Sequence, residues 1–108
     1  MSQMPDISEL SVAITGGSGR VGTAMRKVLS ARLRHVRIVD IVAPAELAAN
    51  ESFALTDLTR LEQAVTALAG MDGVIHLAGI PNERALAEMV QANVIGTSHV
   101  YEAAKLAK

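Results

Sequence analysis

The sequence of 108 residues contains no cysteine and no tryptophan, and it has only one phenylalanine and one tyrosine. The absence of cysteine excludes disulfide bonds, thiolate catalysis and cysteine-ligated metal sites, and it is compatible with a reducing compartment. The scarcity of aromatic side chains leaves almost no surface on which nucleic-acid bases could stack. Since the formal net charge is -1 and the charges are interspersed, we do not expect a nucleic acid as a partner.

The chain also lacks long apolar stretches. No segment approaches the roughly 18 apolar residues that a membrane helix needs, and residues 1–9 form a polar leader without the features of a secretory signal. We therefore expect no membrane partner and a soluble, cytoplasmic protein. Because 50% of the residues are hydrophobic and 19% are charged, residues 10–108 are predicted to fold as one domain with an aliphatic core.

Short apolar runs, the first of them rich in β-branched residues, alternate with segments of helical periodicity. The runs typical of buried strands cover residues 10–15, 36–42, 53–55 and 74–78. Helical periodicity covers residues 21–33, 59–69 (capped by Thr59) and 83–108, and a short helical turn is expected at 45–50. Because parallel strands need crossover connections, this order predicts an α/β fold: a Rossmann-type parallel sheet of strand order 3-2-1-4 with helices on both faces.

The segment TGGSGRVG, residues 15–22, lies between the first predicted strand and the first predicted helix. Its glycines at positions 16, 19 and 22 suit a tight turn, a close approach of the backbone to a pyrophosphate, and close packing of helix against strand. The amide groups of the helix N-terminus would then point at the phosphates. A glycine-rich turn alone is weak support, but its place between a strand and a helix favours dinucleotide binding.

Asp40 lies near the end of the second predicted strand, eighteen residues after Gly22. At that position a carboxylate can accept hydrogen bonds from the adenosine ribose, and its charge repels a 2′-phosphate, which favours NAD over NADP. The alternative is that Asp40 only begins a turn. Arg20 and Arg37 are the opposing signal, because a guanidinium could pair with a 2′-phosphate.

Five ordered motifs resemble the extended short-chain dehydrogenase/reductases, the NAD-dependent epimerase/dehydratase group. They are TGGSGRVG, Asp40, Asp57-Leu58, HLAG at 76–79, and Asn93 followed by Gly96-Thr97. The segments GVIHLAGIPNER and QANVIGTSHVYEAA are most similar to uronate dehydrogenases, which oxidise a hexuronic acid to its lactone with NAD. The resemblance implies NAD as the cofactor and, in a longer parent enzyme, a sugar-type small molecule as the substrate.

The resemblance also implies roles for individual residues. Asp40 and Ile41 would contact the adenosine ribose. Asp57 would accept a hydrogen bond from the adenine amine while Leu58 packs on the ring, although a helix cap is the alternative role of Asp57. Asn93, on the inward stripe of the last helix, would help to order the active site, its alternative role being that of a hydrogen-bonded core amide. The pyrophosphate and the nicotinamide ribose would be contacted by two groups of residues: Gly16, Ser18, Gly19, Arg20, Val21 and Gly22; and Leu77, Ala78 and Gly79.

Three positions qualify this resemblance. His76, within the fourth strand, is predicted to be a hydrogen-bonded core histidine rather than an acid/base. Arg20 stands where epimerases of the group commonly have an aromatic residue, which disfavours epimerisation. Pro81 stands where uronate dehydrogenases tend to place a serine that holds the sugar acid, which leaves the substrate open.

Tyr101 and Lys105 have the Y-x-x-x-K spacing of the family's catalytic pair. In the family a strand bearing a serine or threonine precedes that tyrosine, but here the residues back to Glu88 follow one helical pattern. We therefore predict no catalytic residue in this chain, and we expect strand five, the hydroxyl residue and the catalytic pair beyond Lys108. The fourth strand would then be an exposed sheet edge, which favours association into a homo-oligomer.

Three functions remain open at this point. The first is the NAD-binding portion of a sugar-acid dehydrogenase, which is inactive by itself. The second is the same portion of an NAD-dependent sugar-nucleotide epimerase or dehydratase. The third is a non-catalytic dinucleotide-binding regulatory module, for which the short chain would be complete.

Overall fold

A computed structural model describes residues 7–78 and 90–107 of the chain. A short 3-10 turn, Ile7–Glu9, precedes the first strand, and a π-helical segment, Val90–Ile95, leads into the last helix. The strands are β1 (Ser11–Thr15), β2 (His35–Asp40), β3 (Glu51–Leu55) and β4 (Gly73–His76). The α-helices are α1 (Arg20–Ser30), α2 (Leu61–Leu68) and α3 (Gly96–Leu106).

The four described strands form one parallel sheet in the order β3-β2-β1-β4. The predicted fold class and strand order are therefore confirmed. The register aligns Thr15 of β1 with Val39 of β2 on one side and with His76 of β4 on the other. The carboxyl ends of these three strands consequently lie side by side, where open α/β sheets bind their ligands.

Both faces of the sheet are buried. Ala13 and Val39 point to one face, where they join a cluster with buried residues of α2 and α3, among them Leu68 and Val100. Ile14 and Ile38 alternate to the other face and are fully buried there, beside the glycine turn that leads into α1. The apolar strand runs of the sequence reflect this burial on two sides.

Three predicted elements differ from the structure by more than two residues or in type. Helix α1 ends at Ser30 rather than at residue 33, and its predicted apolar positions Val21 and Val28 are exposed. Residues 45–50 form no helix. The single helix predicted for 83–108 is, in its described part, a π-helical segment followed by α3. The start of that predicted helix lies outside the described residues.

The connection between β2 and β3 is held by a buried ion pair instead of a helical turn. Arg26 of α1 contacts the Glu51 carboxylate at 2.9 Å, and Arg26 also donates to the Glu46 carbonyl at 2.7 Å. The Glu51 carboxylate accepts two further hydrogen bonds, from the Ser30 hydroxyl and the Ala48 amide. These hydrogen bonds tie Glu46 and Ala48 to α1 and β3, and the alanine-rich stretch between β2 and β3 forms no helix.

Within residues 7–78 and 90–107, no helix is long and apolar enough to cross a membrane. The sheet edge at β4 is present in this described part, as expected. Association through that edge stays a prediction.

Candidate cofactor site

A cleft of about 1140 Å³ opens at the carboxyl ends of β1, β2 and β4. Its walls come from the glycine turn, the end of β2, the loop after β3, the end of β4 and the start of α3. Twelve residues with a predicted cofactor role line it: Gly16, Gly19, Arg20, Val21, Gly22, Asp40, Ile41, Asp57, Leu58, Leu77, Ala78 and Asn93. Of the other two, Ser18 lines a neighbouring groove and Gly79 lies outside the described residues.

The glycine turn needs glycine at two positions for different physical reasons. Gly16 has a φ of +71°, which side chains rarely adopt, and a Cβ there would lie 2.8 Å from the Ala78 nitrogen. At Gly22, which is buried in α1, a Cβ would collide with the Gly16 carbonyl oxygen and would lie 2.6 Å from the Gly17 Cα. The turn therefore packs tightly against both β4 and α1.

The beginning of α1 presents amide groups to the cleft. The Thr23 N–H bonds to the Gly19 carbonyl at 2.8 Å, so the three preceding amides form the open end of the helix, as at any helix N-terminus. Gly19 is exposed, and among the described residues a Cβ there would meet only the Gly16 oxygen, at 3.3 Å. The missing side chain therefore leaves open space through which a ligand can approach the backbone. Arg20 adds a positive charge on the same wall. These groups suit a diphosphate.

Asp40 links the end of β2 to the glycine turn. Its Oδ2 accepts a hydrogen bond from the Ser18 N–H at 3.1 Å, and its Oδ1 accepts from the amides of Ile41 at 2.7 Å and Val42 at 3.2 Å. The Ser18 hydroxyl donates to the Val42 carbonyl at 2.6 Å. Asp40 thus organises a turn, the alternative foreseen for it. Since a carboxylate accepts about four hydrogen bonds, Oδ2 can still accept one from a ligand in the cleft.

Arg37 does not contribute a positive charge at the end of β2. Its guanidinium donates to the carbonyls of Ala67 at 2.8 Å and Ala69 at 3.1 Å, where α2 ends. A cation at this place is favourable because the helix dipole leaves partial negative charge there. One of the two residues that opposed an NAD preference is therefore engaged elsewhere, and Arg20 remains.

Asp57 begins the loop that leads from β3 to α2. Its Oδ1 accepts hydrogen bonds from both the hydroxyl (2.6 Å) and the amide (2.9 Å) of Thr59, and its own amide donates to Gln63 Oε1 at 2.7 Å. These bonds from Thr59 lower the pKa of Asp57, opposed in part by burial. Within residues 7–78 and 90–107 no hydrogen bond uses the second carboxylate oxygen, so it can accept one from a ligand in the cleft.

The prediction that Thr59 caps α2 is wrong. The helix begins at Leu61 with Arg60 at the N-cap position, and no side chain caps it there. The Thr59 hydroxyl already donates to Asp57, so the threonine braces the carboxylate rather than the helix.

Leu58 is tied to α3 through its backbone. Its carbonyl accepts a hydrogen bond from His99 Nδ1 at 2.7 Å. Because a carbonyl oxygen can only accept, His99 must hold a proton on Nδ1. The Leu58 side chain packs partly on the buried cluster and partly lines the cleft.

The end of β4 is held by a buried threonine that sequence reasoning did not single out. Thr15 Oγ1 accepts hydrogen bonds from the amides of Leu77 at 3.0 Å and Ala78 at 3.2 Å, and it lies 2.6 Å from His76 Nδ1. His76 Nε2 in turn lies 2.9 Å from Thr97 Oγ1 of α3. His76 is hydrogen-bonded through both ring nitrogens, as predicted, but it is half-buried and lines the cleft rather than lying in the core.

Asn93 lies in the π-helical segment that leads into α3. It lines the cleft together with Gly96 and Thr97, one turn further along. A π-turn widens the helix and frequently occurs at functional sites. Pro81, at which the sequence departs from uronate dehydrogenases, lies outside the described residues.

Tyr101 and Lys105 do not belong to the cleft. The Tyr101 ring is 71% exposed, and Lys105 pairs with Glu102 across the surface of α3 at 3.9 Å. Both features agree with the prediction that this pair is not catalytic. The described residues also contain no group of histidine and acidic side chains that could hold a metal ion.

Comparisons with known proteins add to this geometry. The model of the NAD dependent epimerase/dehydratase family matches residues 12–108. The uronate dehydrogenase of Pseudomonas putida is 33% identical over 93 residues, which are 85% of this chain and 35% of the relative. The predicted resemblance to this group is therefore confirmed.

Two solved structures extend the comparison. A mutant uronate dehydrogenase of Agrobacterium tumefaciens, complexed with NAD, matches with a TM-score of 0.85 and 31% identity over 91% of this chain and 37% of that one. The glucuronic acid dehydrogenase of Chromohalobacter salexigens matches with a TM-score of 0.84 and 35% identity over 90% of this chain and 36% of that one. The chain thus spans about one third of the length of these relatives.

Proposed function

The chain belongs to the NAD-dependent epimerase/dehydratase family, and we propose that it forms the NAD-binding part, residues 10–108, of a dehydrogenase that oxidises a hexuronate. The observation that carries this proposal is one cleft in which a tight glycine turn, the open end of α1 and the Asp40 carboxylate lie together. This combination has a place for a diphosphate beside a place for a ribose.

The described residues offer a group for each part of the cofactor. The glycine turn, the first amides of α1 and Arg20 would hold the pyrophosphate. Asp40 Oδ2 would accept a hydrogen bond from a ribose hydroxyl. The Asp57 oxygen that Thr59 does not use would accept a hydrogen bond from the adenine amine. The remaining end of the dinucleotide would run past Leu77 and Ala78 towards Asn93.

Asp40 is the basis for proposing NAD rather than NADP. A 2′-phosphate would bring negative charge towards a carboxylate that already accepts three backbone hydrogen bonds. Removing that carboxylate from the position would also release the Ser18 amide. The exposed Arg20 could offset part of this repulsion, so we expect NAD to bind more tightly than NADP without NADP being excluded.

The chemistry of the reaction divides between cofactor and protein. When bound, NAD supplies the acceptor for a hydride from the substrate carbon. The described residues of this chain bind and orient the dinucleotide, and none of them is assigned a proton transfer, because the Tyr101 phenol faces solvent on α3.

A hexuronate is proposed as the substrate because of the likeness to uronate and glucuronic acid dehydrogenases. The family description also names epimerases and dehydratases, so a nucleotide-linked sugar is the second candidate for the same cleft. The exposed Arg20 at the start of α1 disfavours the second candidate, since epimerases commonly have an aromatic residue there.

The decisive experiment is an assay of the intact protein that carries this chain. With NAD and galacturonate or glucuronate, we expect NADH to form, measured by its absorbance. Interconversion of nucleotide sugars without net NADH would instead support the epimerase. NAD binding without either activity would support a regulatory module.

A further inference from the structure

Three side chains form a continuous hydrogen-bonded chain between β1, β4 and α3, which we call the His76 relay. Thr15 Oγ1 lies 2.6 Å from His76 Nδ1, and His76 Nε2 lies 2.9 Å from Thr97 Oγ1. Thr15 is fully buried, and the other two side chains are half-buried on the cleft wall. The relay therefore joins the innermost strand of the sheet to the helix across the cleft.

The direction of the relay follows from counting donors on the Thr15 oxygen. A hydroxyl oxygen has two acceptor positions and one proton to donate. The amides of Leu77 and Ala78 both donate to Thr15 Oγ1, although the Leu77 amide is shared with the Thr15 carbonyl. With these positions taken, the hydroxyl proton goes to His76 Nδ1. His76 then holds its own proton on Nε2 and donates it to Thr97.

What the relay holds in place is the wall of the cleft. Leu77 and Ala78 follow β4 and bond to Thr15, and Ala78 packs directly against Gly16 of the glycine turn. A displacement of Ala78 would therefore disturb the packing of the glycine turn. Thr97 lies four residues after Asn93, so the other end of the relay fixes the start of α3.

We infer that His76 is a positioning residue of the cofactor cleft, and that it works only as the neutral imidazole with its proton on Nε2. This inference rests on the proposed NAD-binding function. A protonated His76 would carry a hydrogen on Nδ1 as well, pointing at a Thr15 oxygen that already accepts two amides. The bond between β1 and the end of β4 would then loosen.

The surroundings of His76 favour the neutral form. Burial lowers its pKa below the usual value of 6.5. The charged groups that line the same cleft are Arg20 from α1, Asp40 from β2 and Asp57 from the loop after β3. Of α3, the titratable group near the relay is His99. Within the described residues none of these four shares a hydrogen bond with His76.

His99 provides an internal control, because its bond has the opposite requirement. Its Nδ1 donates to the Leu58 carbonyl, and this hydrogen is present in both the neutral and the protonated ring. Protonation should therefore leave the link between Leu58 and α3 intact. The third histidine, His35, bonds to Ser52 at the other end of β2.

The first test is the nitrogen NMR spectrum of the histidine side chains in the 108-residue chain, which needs no cofactor. Near pH 7.5, about one pH unit above the ordinary histidine pKa, we expect His76 to show an unprotonated Nδ1 and a protonated Nε2. The amide signals of Leu77 and Ala78 should shift as His76 titrates, and the variant His99→Gln should leave that shift unchanged. The opposite tautomer at His76, or unmoved amide signals, would overturn the inference.

The second test is the pH dependence of NAD binding in wild type, His76→Gln and His99→Gln. If only the neutral relay binds, the wild-type dissociation constant should rise by up to about tenfold per pH unit below the His76 pKa. His76→Gln removes the titrating group while keeping a side-chain amide, so the rise in the dissociation constant at low pH should disappear. In His99→Gln that rise should remain. Equal slopes in all three proteins would overturn the inference. Absence of NAD binding near pH 7.5 would instead refute the proposed function, leaving the NMR test to decide the relay.

Discussion

The Asp40 carboxylate accepts a hydrogen bond from the Ser18 amide, with 3.1 Å between Oδ2 and the nitrogen. This contact joins the residue that would select the ribose to the turn that would hold the pyrophosphate. The two functions are therefore mechanically coupled. A substitution at Asp40 should affect both the recognition of ribose and the shape of the turn.

Replacing Asp40 by asparagine removes the negative charge and one of the two acceptor oxygens. The single oxygen of Asp40→Asn cannot accept from Ser18 and from both Ile41 and Val42, so NAD should bind about 10- to 100-fold more weakly through the loss of charge-assisted hydrogen bonds and a less ordered turn. The affinity for NADP should fall less, so the preference for NAD over NADP should become smaller. Titration calorimetry of both dinucleotides measures this. Equal losses for NAD and NADP would contradict the proposed role of the charge.

Gly22→Ala should disrupt the turn by steric collision. The new Cβ would meet the backbone of Gly16 and Gly17, which cannot move aside as a flexible side chain could. We expect a destabilisation of about 1–3 kcal/mol, measured by denaturant unfolding, together with weaker NAD binding. Gly73→Ala is the matched control, because its Cβ would lie at an ordinary 3.8 Å from Val12. A smaller effect at Gly22 than at Gly73 would contradict the packing described above.

The buried pair of Arg26 and Glu51 should make the fold sensitive to acid. The hydrogen bond from the Arg26 guanidinium lowers the pKa of Glu51 from 4.5 to about 2. Because the folded-state pKa is depressed, the associated stability, on the order of 3 kcal/mol, is present above about pH 4.5 and is lost as the pH falls towards 2. Unfolding free energies across this range should show that loss in the wild type.

Two variants check the assignment to Glu51. In Glu51→Gln, the part of the pH dependence between 4.5 and 2 should be absent, and the protein should be less stable at neutral pH because Arg26 remains half-buried. Glu102→Gln removes a solvent-exposed partner of Lys105 and should change stability by at most about 0.5 kcal/mol. An acid profile unchanged by Glu51→Gln would show that another group is responsible.

Tyr101→Phe and Lys105→Ala should leave activity nearly unchanged in the intact protein. Both side chains lie on the exposed surface of α3, away from the cleft, so the Y-x-x-x-K spacing is a property of the helix sequence. Initial-rate kinetics with NAD and a hexuronate measure this. A loss of turnover in Tyr101→Phe by several orders of magnitude would mean that the tyrosine is catalytic after all.

The sheet could be predicted because each strand has a local sequence pattern. β1, β2 and β4 contain β-branched residues, β3 contains the apolar residues 53–55, and the glycine turn changes the periodicity at once from strand to helix. Asp40 and Asp57 stand at the ends of such strands, so the edge on which they lie follows from the topology alone.

What the sequence did not predict depends on contacts between distant segments. Residues 45–50 include helix-forming alanines but form no helix, and Arg26 and Glu51, which bond to them, come from α1 and β3. Thr15 looks like any strand residue until the register places it beside His76. Likewise, that Thr59 does not cap α2 follows only from the hydrogen bond that its hydroxyl donates to Asp57.

The most direct test of the central claim is calorimetric titration of the 108-residue chain with NAD and with NADP under identical conditions. The cleft formed by the glycine turn and Asp40 predicts that both dinucleotides compete for one site and that NAD binds more tightly. Tighter binding of NADP would contradict the role given to Asp40, and no binding of either dinucleotide would contradict the cofactor site itself.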